Sequence, residues 1–344
     1  MFSKIFLSKS KLISNVNYLK RTAGKPICVM VKANAYGHGE KEIVKMLDGV
    51  VPFFGVSNQK EGIDAKKLTT GSVVVFGKCE NYLKCMKNDV SFALFSFEDA
   101  KSIVSLAKKN NLFPRFHLCL NSGMNRYGFK YKEDIERTID FLDKESIPLE
   151  GFYTHFSSLT SDKNYTEKQK NKFYEFSSLL PKEWKTIRHV GGGNTIYKNI
   201  DADMYRVGLQ CYGYGDENVS PVLKVESHIV DVQNVKEGEH IGYLCGYTAT
   251  KDMKIATIPL GYGDGFPRKL SNKLEVVING QKARSTGNIC MDAFMVDVSE
   301  LDCQKGNRVL VLDNATTLAP LIDSTEYEVL TNLTKLRGQR VIVD

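Results

Sequence analysis

The feature that most constrains the fold is a regular alternation of short apolar segments with amphipathic segments, beginning at Pro26. Eight apolar segments have the length and composition of buried β-strands, namely PICVMV (26–31), PFFGV (52–56), VVVF (73–76), FALF (92–95), RFHLCL (115–120), GFYTH (151–155), IRHV (187–190) and MYRVG (204–208). Segments with helical spacing, such as EKEIVKML, FEDAKSIVSLAKK and KEDIERTIDFLDK, lie between most of them. This alternation predicts a closed parallel (β/α)8 barrel of the TIM type.

The pattern changes at about Leu223. Short β-branched segments such as KIATIPL and LEVVING follow, separated by Gly, Asn and Lys-Glu turns and with little helical periodicity. We therefore predict a barrel domain over residues 1–222 and a predominantly β domain over residues 223–344. Residues 1–8 could supply a further strand to the second domain.

Composition narrows the functional classes. The chain is 42% hydrophobic and 25% charged, and its net charge of +7 comes from scattered lysines rather than a basic stripe, so we predict no nucleic-acid partner. No segment is suited to a signal peptide or a membrane span. The eight cysteines form no CxxC pair and several lie in apolar segments, which indicates reduced thiols and a cytoplasmic location.

Several chemically capable residues fall at the carboxyl ends of the predicted strands, where parallel barrels place their working side chains. They are Lys32 after the first strand, Arg126 after the fifth, His155 ending the sixth, the loop GGGNT (191–195) after the seventh and Arg206 on the eighth. Singly, such an arginine is usually a salt-bridge partner and such a histidine a satisfied polar residue. Together at one rim they favour a functional site.

The residue types suggest one cofactor. A lysine in a partly dry, electropositive pocket has a depressed pKa and attacks aldehydes. The GGGNT loop and the backbone of residues 207–209 offer N–H groups and a hydroxyl suited to a phosphate. Lysine, phosphate cradle and arginine together predict pyridoxal 5'-phosphate (PLP) held as a Schiff base, with no metal site.

VKANAYGHG (31–39) resembles the PLP-lysine motif of bacterial alanine racemases, which are fold-type III PLP enzymes. Six further segments resemble motifs of that family in its order, namely SGMNRYGF, THFSS, YRVGLQCYG, IPLGYGDGFPR, GNICMDAFMVDV and YEVLTNL. The resemblance extends from about residue 26 to near residue 340. On these motifs the chain is identified as a member of the alanine racemase family.

The resemblance implies an amino-acid racemase, with alanine as the expected substrate, that supplies D-alanine for peptidoglycan. Racemisation removes the Cα proton from one face and returns one on the other, so it needs two bases. The resemblance assigns these to Lys32, also the Schiff-base lysine, and to Tyr262 from the second subunit of a homodimer. The further implied cofactor-binding residues are Tyr36, His155, Asn194, Thr195, Arg206 (at the pyridine nitrogen), Gly208, Leu209 and Tyr327. The implied substrate-binding residues are Arg126, Met291 and Tyr243.

The chain departs from the family at three positions. Many members have a lysine, often carbamylated, seven residues before the arginine matched by Arg126, and this chain has Cys119 there. Something else must then orient Arg126, such as a bound anion or Asn121. Thr195 stands where the family has serine, and Asn288 where many members have arginine.

Three alternatives stay open. The chain could be a racemase for serine or another small amino acid, because a pocket discriminates between substrates that differ by one methylene or hydroxyl by only about 1–3 kcal/mol. A non-catalytic PLP-binding barrel protein would keep the lysine and phosphate site but lack a second domain carrying Tyr262 and Met291. A fold-type III decarboxylase would want an acidic partner at the pyridine nitrogen, which Arg206 argues against.

Overall fold

Eight parallel strands close into a barrel. In the computed structural model, which describes residues 3–344, the barrel order follows the chain from β2 to β9, and β9 pairs back onto β2. The barrel strands are β2 (Ile27–Met30), β3 (Phe53–Val56), β4 (Ser72–Val75), β5 (Ser91–Leu94), β6 (Phe116–Cys119), β7 (Gly151–His155), β8 (Ile187–Gly191) and β9 (Met204–Val207). Each predicted apolar segment contributes one strand, so the predicted (β/α)8 barrel is confirmed.

The barrel strands are buried on both faces. Phe54, Phe92, Phe116 and Phe152 are among the largest side chains without solvent exposure. In such a barrel one face of each strand packs under the helices and the other fills the interior. This double burial explains why the segments are continuous apolar runs rather than alternating ones.

Side-chain caps satisfy free backbone N–H groups at the start of several helices. Ser96 accepts a hydrogen bond from the N–H of Asp99 at 3.0 Å, and Asp162 accepts one from Tyr165 at 2.9 Å. The helical segments are α1 (Lys9–Ala23), α2 (Lys32–Tyr36), α3 (Glu40–Leu47), α4 (Gln59–Lys66), α5 (Tyr82–Lys87), α6 (Phe97–Lys109), α7 (Lys132–Lys144), α8 (Lys163–Ser177) and α9 (Glu326–Asn332). Of these, α2 is a short turn whose backbone is left-handed rather than α-helical. The predicted segments for α3, α6 and α7 agree with these bounds.

The C-terminal part is mostly strand, as predicted. A six-stranded sheet has the order β16-β15-β18-β10-β1-β19, a three-stranded sheet has the order β11-β14-β17, and β12 pairs with β13. The strands are β1 (Lys4–Ser8), β10 (Leu223–His228), β11 (Asp231–Val235), β12 (His240–Ile241), β13 (Tyr247–Thr248), β14 (Met253–Ile258), β15 (Glu275–Ile278), β16 (Gln281–Arg284), β17 (Phe294–Asp297), β18 (Arg308–Leu312) and β19 (Gln339–Val343). Of the segment 1–8, residues 1 and 2 lie outside the described residues, and β1 pairs with β10 and β19.

The chain divides into two compact units. One comprises Val16–Lys32 and Ile43–Cys211, and the other comprises Ala33–Glu42, Tyr212–Asp344 and the described residues up to Asn15. Lys32 therefore ends the first piece of the barrel unit. The domain boundary between residues 222 and 223 stays a prediction.

All eight cysteines are free thiols. Within residues 3–344 we find no helix with the length and apolar character that a membrane crossing requires.

Candidate active site

Lys32 stands at the carboxyl end of β2, two residues after the last strand residue, Met30. Its side chain is half-buried. Burial lowers the pKa of its amine most, and the positive charge of Arg126 lowers it further. Glu61 opposes these effects, and Arg206 adds the smallest lowering. The amine is therefore less firmly protonated than that of a surface lysine.

The residues after Lys32 form a left-handed turn. Ala33, Asn34, Ala35 and Tyr36 have φ between 51° and 54°, in the left-handed region. Each non-glycine residue there costs about 1–2 kcal/mol, so the conformation must be held by its surroundings. The Asn34 side chain contributes, since its Oδ1 accepts the N–H of Glu40 at 2.8 Å. The asparagine of the VKANAYGHG motif thus shapes the backbone.

The GHG part of this motif is also explained by packing. A Cβ at Gly37 would lie 1.9 Å from the carbonyl oxygen of Leu330, so only glycine fits. Arg340 donates to the carbonyl oxygens of Gly37 and His38 at 3.0 and 2.9 Å. His38 is fully buried against the ring of Tyr212, and burial lowers its pKa to about 4. His38 is thus a neutral structural residue.

Arg206 is buried at the end of β9 and fixed on several sides. Its Nη2 donates to the carbonyl oxygen of Thr154 at 2.8 Å, and its Nη1 lies 2.8 Å from Nδ1 of His189. The guanidinium carbon lies 4.9 and 4.7 Å from the ring centroids of Phe76 and Tyr153. A charge held between two aromatic faces has a defined position.

His155 ends β7 and belongs to the same electrostatic group. Burial lowers the pKa of its imidazole to about 3, and the charges of Arg206, Arg126 and Lys32 add to this effect. His155 is therefore neutral at physiological pH and can accept a hydrogen bond but brings no charge. The structure thus brings together Lys32, Arg126, His155 and Arg206, all predicted from the sequence.

Arg126 lies exposed on the loop after β6. Asn121 organises this loop, because its Oδ1 accepts the backbone N–H groups of Gly123 and Asn125 at 3.1 and 3.0 Å. The guanidinium carbon of Arg126 lies 6.0 Å from the ring centroid of Tyr127. Asn121 therefore shapes the backbone that carries Arg126.

Cys119, at the position of the family's lysine, is buried in an apolar cluster with Ala93, Phe95 and Tyr153. Burial raises the pKa of its thiol to about 11. A neutral thiol there neither carries nor pairs a charge. Cys119 therefore contributes apolar packing at the position where many family members have a charged or carbamylated lysine.

The glycine-rich loop turns sharply after β8. Gly192 and Gly193 have positive φ values of 126° and 23°, and Thr195 is buried, with its N–H bonded to the carbonyl oxygen of Gly192 at 3.0 Å. The side-chain amide of Gln210 donates to Gly193 O at 2.8 Å and to Asn194 Oδ1 at 3.1 Å. Gln210 thus holds the Gly193–Asn194 turn.

Gly208 and Leu209 follow β9, and Gln210 comes directly after them. Because Gln210 bonds to Gly193 and Asn194, it ties the loop after β8 to the loop after β9. These two loops contain four of the predicted phosphate-contacting or neighbouring residues. Gln210 lies inside the YRVGLQCYG motif, but its hydrogen bonds to the preceding loop were not predicted from the sequence.

Tyr262 lies on a 3₁₀ turn (Tyr262–Asp264) in the C-terminal unit. The buried carboxylate of Asp264 holds this turn, since it accepts the N–H of Gly261 at 3.1 Å and two N–H groups of Arg337 at 2.8 and 2.9 Å. A Cβ at Gly261 would lie 2.2 Å from the carbonyl oxygen of Cys290. The GYGDG motif therefore encodes a tightly held support for one tyrosine.

Tyr262 and Met291 are neighbours in this unit. The N–H of Tyr262 donates to Cys290 O at 3.0 Å, and that of Gly263 donates to Met291 O at 2.9 Å. Both side chains are solvent-exposed, Tyr262 by 38% and Met291 by 54%.

Tyr243 is also exposed, and Asn288 anchors its turn by donating to the Tyr243 carbonyl oxygen at 2.8 Å. Asn288, which stands where many family members have arginine, therefore has a structural hydrogen bond here. Elsewhere in the same unit, the rings of Tyr36 and Tyr327 lie 5.8 Å apart.

Barrel and site define a class: an α/β-barrel enzyme with a lysine of lowered pKa at the rim and a second, β-rich unit. Residues 7–216 match the family model "Alanine racemase, N-terminal domain", and residues 222–342 match "Alanine racemase, C-terminal domain". The chain belongs to the alanine racemase family, a PLP-dependent family of fold type III whose general role is supply of D-alanine for peptidoglycan. The predicted family and enzyme class are confirmed.

Individual alanine racemases are similar to this chain over most of its length. The alanine racemase of Ligilactobacillus salivarius is 32% identical, over 95% of this chain and 93% of its own length. That of Methanococcus maripaludis is 33% identical, over 88% of this chain and 86% of its own. The solved alanine racemase structure from Clostridium difficile 630 superposes with a TM-score of 0.93 at 31% identity, covering 100% of this chain and 96% of that one.

Proposed function

We propose that this chain interconverts L- and D-alanine with PLP as its cofactor. The observation that carries the proposal is the state of Lys32, an amine whose pKa is lowered by burial and by Arg126 and Arg206 at the end of a barrel strand. Such an amine can bond to an aldehyde and can accept a carbon-bound proton, whereas a fully solvated, protonated lysine can do neither efficiently.

The side chains around Lys32 fit PLP. Arg206 is buried and carries only N–H donors, so it suits an unprotonated ring nitrogen. Thr195, Asn194 and the backbone of Gly208 and Leu209 lie on loops tied together by Gln210 and suit a phosphate. The family resemblance also assigns Tyr36 and Tyr327 to the phosphate. When bound, PLP withdraws electrons from the Cα–H bond and so makes that proton removable.

Two residues move the proton. Lys32 Nζ serves one face of the substrate Cα, and Tyr262 Oη serves the other. His155 is neutral at physiological pH, so it accepts hydrogen bonds near the PLP ring without competing for the Cα proton. The guanidinium of Arg126 and the backbone of Met291 bind the substrate carboxylate, and Tyr243 lines the access route.

The exposure of the C-terminal site residues supports a homodimer. Tyr243 is 70% exposed, Met291 54%, Tyr327 40% and Tyr262 38%, although each is large and partly apolar. A base that must act in a water-excluded site needs a cover for such residues. A second copy of the chain, receiving Tyr262 and Met291 into its own site, provides that cover.

Serine or another small amino acid stays an alternative substrate, as does PLP binding without catalysis. The proposed setting is the cytoplasm, where D-alanine would serve peptidoglycan synthesis. The eight free cysteines support a reducing compartment.

The test is Cα deuterium exchange with L-alanine in heavy water, on the PLP-loaded protein and on Tyr262→Phe. We expect the parent to yield deuterated D-alanine, and Tyr262→Phe to exchange deuterium into L-alanine without inversion. Tyr131→Phe, which alters an exposed tyrosine of the barrel unit, is the matched control and should behave as the parent. Lys32→Ala should show neither exchange nor inversion.

Inversion of serine but not of alanine would keep the chemistry and replace the substrate. Absence of exchange with every amino acid tested would leave a PLP-binding protein and refute the racemase proposal.

A further inference from the structure

A chain of polar side chains runs through the barrel core from Arg206. Arg206 Nη1 lies 2.8 Å from His189 Nδ1, His189 Nε2 lies 2.8 Å from His117 Nδ1, and His117 Nε2 lies 3.2 Å from Glu150 Oε2. Both histidines are fully buried. Glu150, just before β7, lies at the opposite end of the barrel strands from Arg206, and Arg115 pairs with it there.

The direction of every hydrogen bond in this chain follows from Arg206. A guanidinium only donates, so His189 Nδ1 must be the acceptor. A neutral His189 then carries its proton on Nε2 and donates it to Nδ1 of His117. His117 in turn carries its proton on Nε2 and donates it to Glu150. The hydrogen bonds from Arg206 through His189 and His117 to Glu150 can therefore all form in only one arrangement of protons.

Glu150 is suited to end the chain. Burial raises the pKa of its carboxyl, but hydrogen bonds from His117, Arg115 and Ser91 outweigh burial and hold the pKa well below its usual value. Glu150 is thus ionised and acts purely as an acceptor. Its environment consists of donors, so it does not compete for the proton of His117.

A His117 that carried a proton on Nδ1 would break the contact with Arg206. His117 Nδ1–H would donate to His189 Nε2, and the remaining proton of His189 would sit on Nδ1. That N–H would face an N–H of Arg206 at 2.8 Å, two donors without an acceptor. The position of the guanidinium therefore depends on a proton two residues away.

The surrounding barrel is shaped around this chain. A Cβ at Gly151, which pairs with His117, would lie 2.2 Å from His117 Nδ1. The ring of Tyr153 stacks on that of His189 at 5.1 Å and an interplanar angle of 19°. Aliphatic layers commonly fill this space in such barrels, and buried polar groups are costly unless fully paired.

We propose that His117 and Glu150 are positioning residues for Arg206, which they fix through the tautomer of His189. The inference rests on the proposed function, in which Arg206 faces the ring nitrogen of PLP. His117 and Glu150 touch neither cofactor nor substrate. Their contribution is to keep His189 an acceptor, so that the guanidinium stays in one orientation throughout the reaction.

The first test is the tautomeric state of His189, read from imidazole ¹⁵N chemical shifts in histidine-labelled holoenzyme, which has only six histidines. We expect the Nε2–H form for His117 and His189 in the parent. His117→Leu fills the core but leaves the Nε2–H of His189 without an acceptor. The Nδ1–H form, in which Arg206 is displaced, then competes, so His189 should become a tautomeric mixture. His117→Asn offers an Oδ1 close to the position of Nδ1 and should retain the Nε2–H form of His189.

Kinetics of racemisation provide the second readout. We expect kcat of His117→Leu to fall by about tenfold or more, equivalent to about 1.4 kcal/mol in the barrier, with KM little changed. His117→Asn should restore most of the loss. Glu150→Leu removes the acceptor at the far end, and it should change the His189 tautomer and kcat in the same direction as His117→Leu does. It replaces His117→Leu in the test if His117→Leu does not fold.

Asp203→Asn is the control. Asp203 forms an ion pair with Arg188 at the same end of the barrel as Glu150, but it is not one of the hydrogen-bonded side chains that connect Arg206 to Glu150. It should leave the His189 signal and kcat unchanged. Equal kcat for His117→Leu and His117→Asn, or an unaltered His189 tautomer in His117→Leu, would overturn the inference. An inactive parent with the predicted tautomers would instead count against the proposed function, since the NMR readout needs no turnover.

Discussion

Gly191 in β8 pairs with Arg206 in β9, and the missing side chain at Gly191 makes room for the guanidinium. A Cβ at Gly191 would lie 2.6 Å from Arg206 Nη2 and 2.9 Å from Cζ. Neighbouring strands thus supply a charged group and the space it occupies. The loop predicted to bind phosphate begins at the same glycine.

Gly191→Ala is therefore expected to displace Arg206 and weaken PLP binding by about tenfold or more, since a misplaced hydrogen-bonding group loses about 1.4 kcal/mol or more. Titration of the protein with PLP, followed by absorbance, measures this. Gly71→Ala is the control, because the nearest atoms to a Cβ there would be 3.2 Å away and Gly71 precedes β4, at the amino end of the barrel strands. Equal PLP affinities for the two variants would show that Gly191 has no special role.

Asp264→Asn should destabilise the C-terminal unit by about 1.5–3 kcal/mol, because a buried carboxylate with charged partners loses its charge-assisted hydrogen bonds. Chemical denaturation measures the loss, and racemisation should fall as the Tyr262 turn loosens. Asp292→Asn is the matched control, since Asp292 is exposed and binds the same Arg337. It should cost less than about 1 kcal/mol.

The same carboxylate predicts a pH dependence. Hydrogen bonds from Arg337 and Gly261 lower the pKa of Asp264 against the opposing effect of burial. Its stabilisation is therefore complete above the unfolded-state pKa and is lost as pH falls through the lower folded-state pKa. Stability of the parent should fall more steeply in acid than that of Asp264→Asn, and a parallel pH profile for the two would contradict this.

Because of His38, the free energy of unfolding should decrease as the pH is lowered from about 6.5 to about 4. Burial lowers its pKa from 6.5 to about 4, so within this range the unfolded chain binds a proton that the folded chain does not. His38→Asn should show a flatter dependence of the urea midpoint on pH over that interval, although its stability at pH 7 should be lower. An unchanged slope would mean that His38 titrates normally in the folded protein.

Cys119 should resist alkylation at pH 8. With a pKa of about 11, only about one thiol in a thousand is ionised, and the side chain is buried as well. Mass spectrometry after a brief exposure to iodoacetamide should find Cys119 and Cys28 unmodified. All eight cysteines should react once the protein is unfolded, and rapid labelling of Cys119 in the native protein would refute its placement in the apolar cluster.

Much of the barrel was predictable because its strands are buried on both faces and its helices on one. Double burial leaves continuous apolar runs and single burial leaves helical spacing, so segments such as Phe97–Lys109 were located to the residue. The rim residues Lys32, His155 and Arg206 followed, because parallel strands all end at the same edge. The roles assigned to individual site residues stay predictions.

Other features had no short-range signal. Arg337 supports Tyr262 through Asp264, although 73 residues separate the ion pair. The left-handed turn at Ala33–Tyr36 defies the preferences of its own residues, since alanine does not favour positive φ. Contacts made elsewhere in the fold impose it.

By itself the sequence determined the strand and helix pattern, the barrel and the chemical types at its rim, since these follow from local burial and from motif order. The tertiary structure decided which groups carry charge. Lys32 has a lowered pKa, and His155, His189 and Cys119 are neutral, because each is buried beside partners distant in the chain. Desolvation and Coulomb interactions depend on distances in space, which residue spacing alone does not encode.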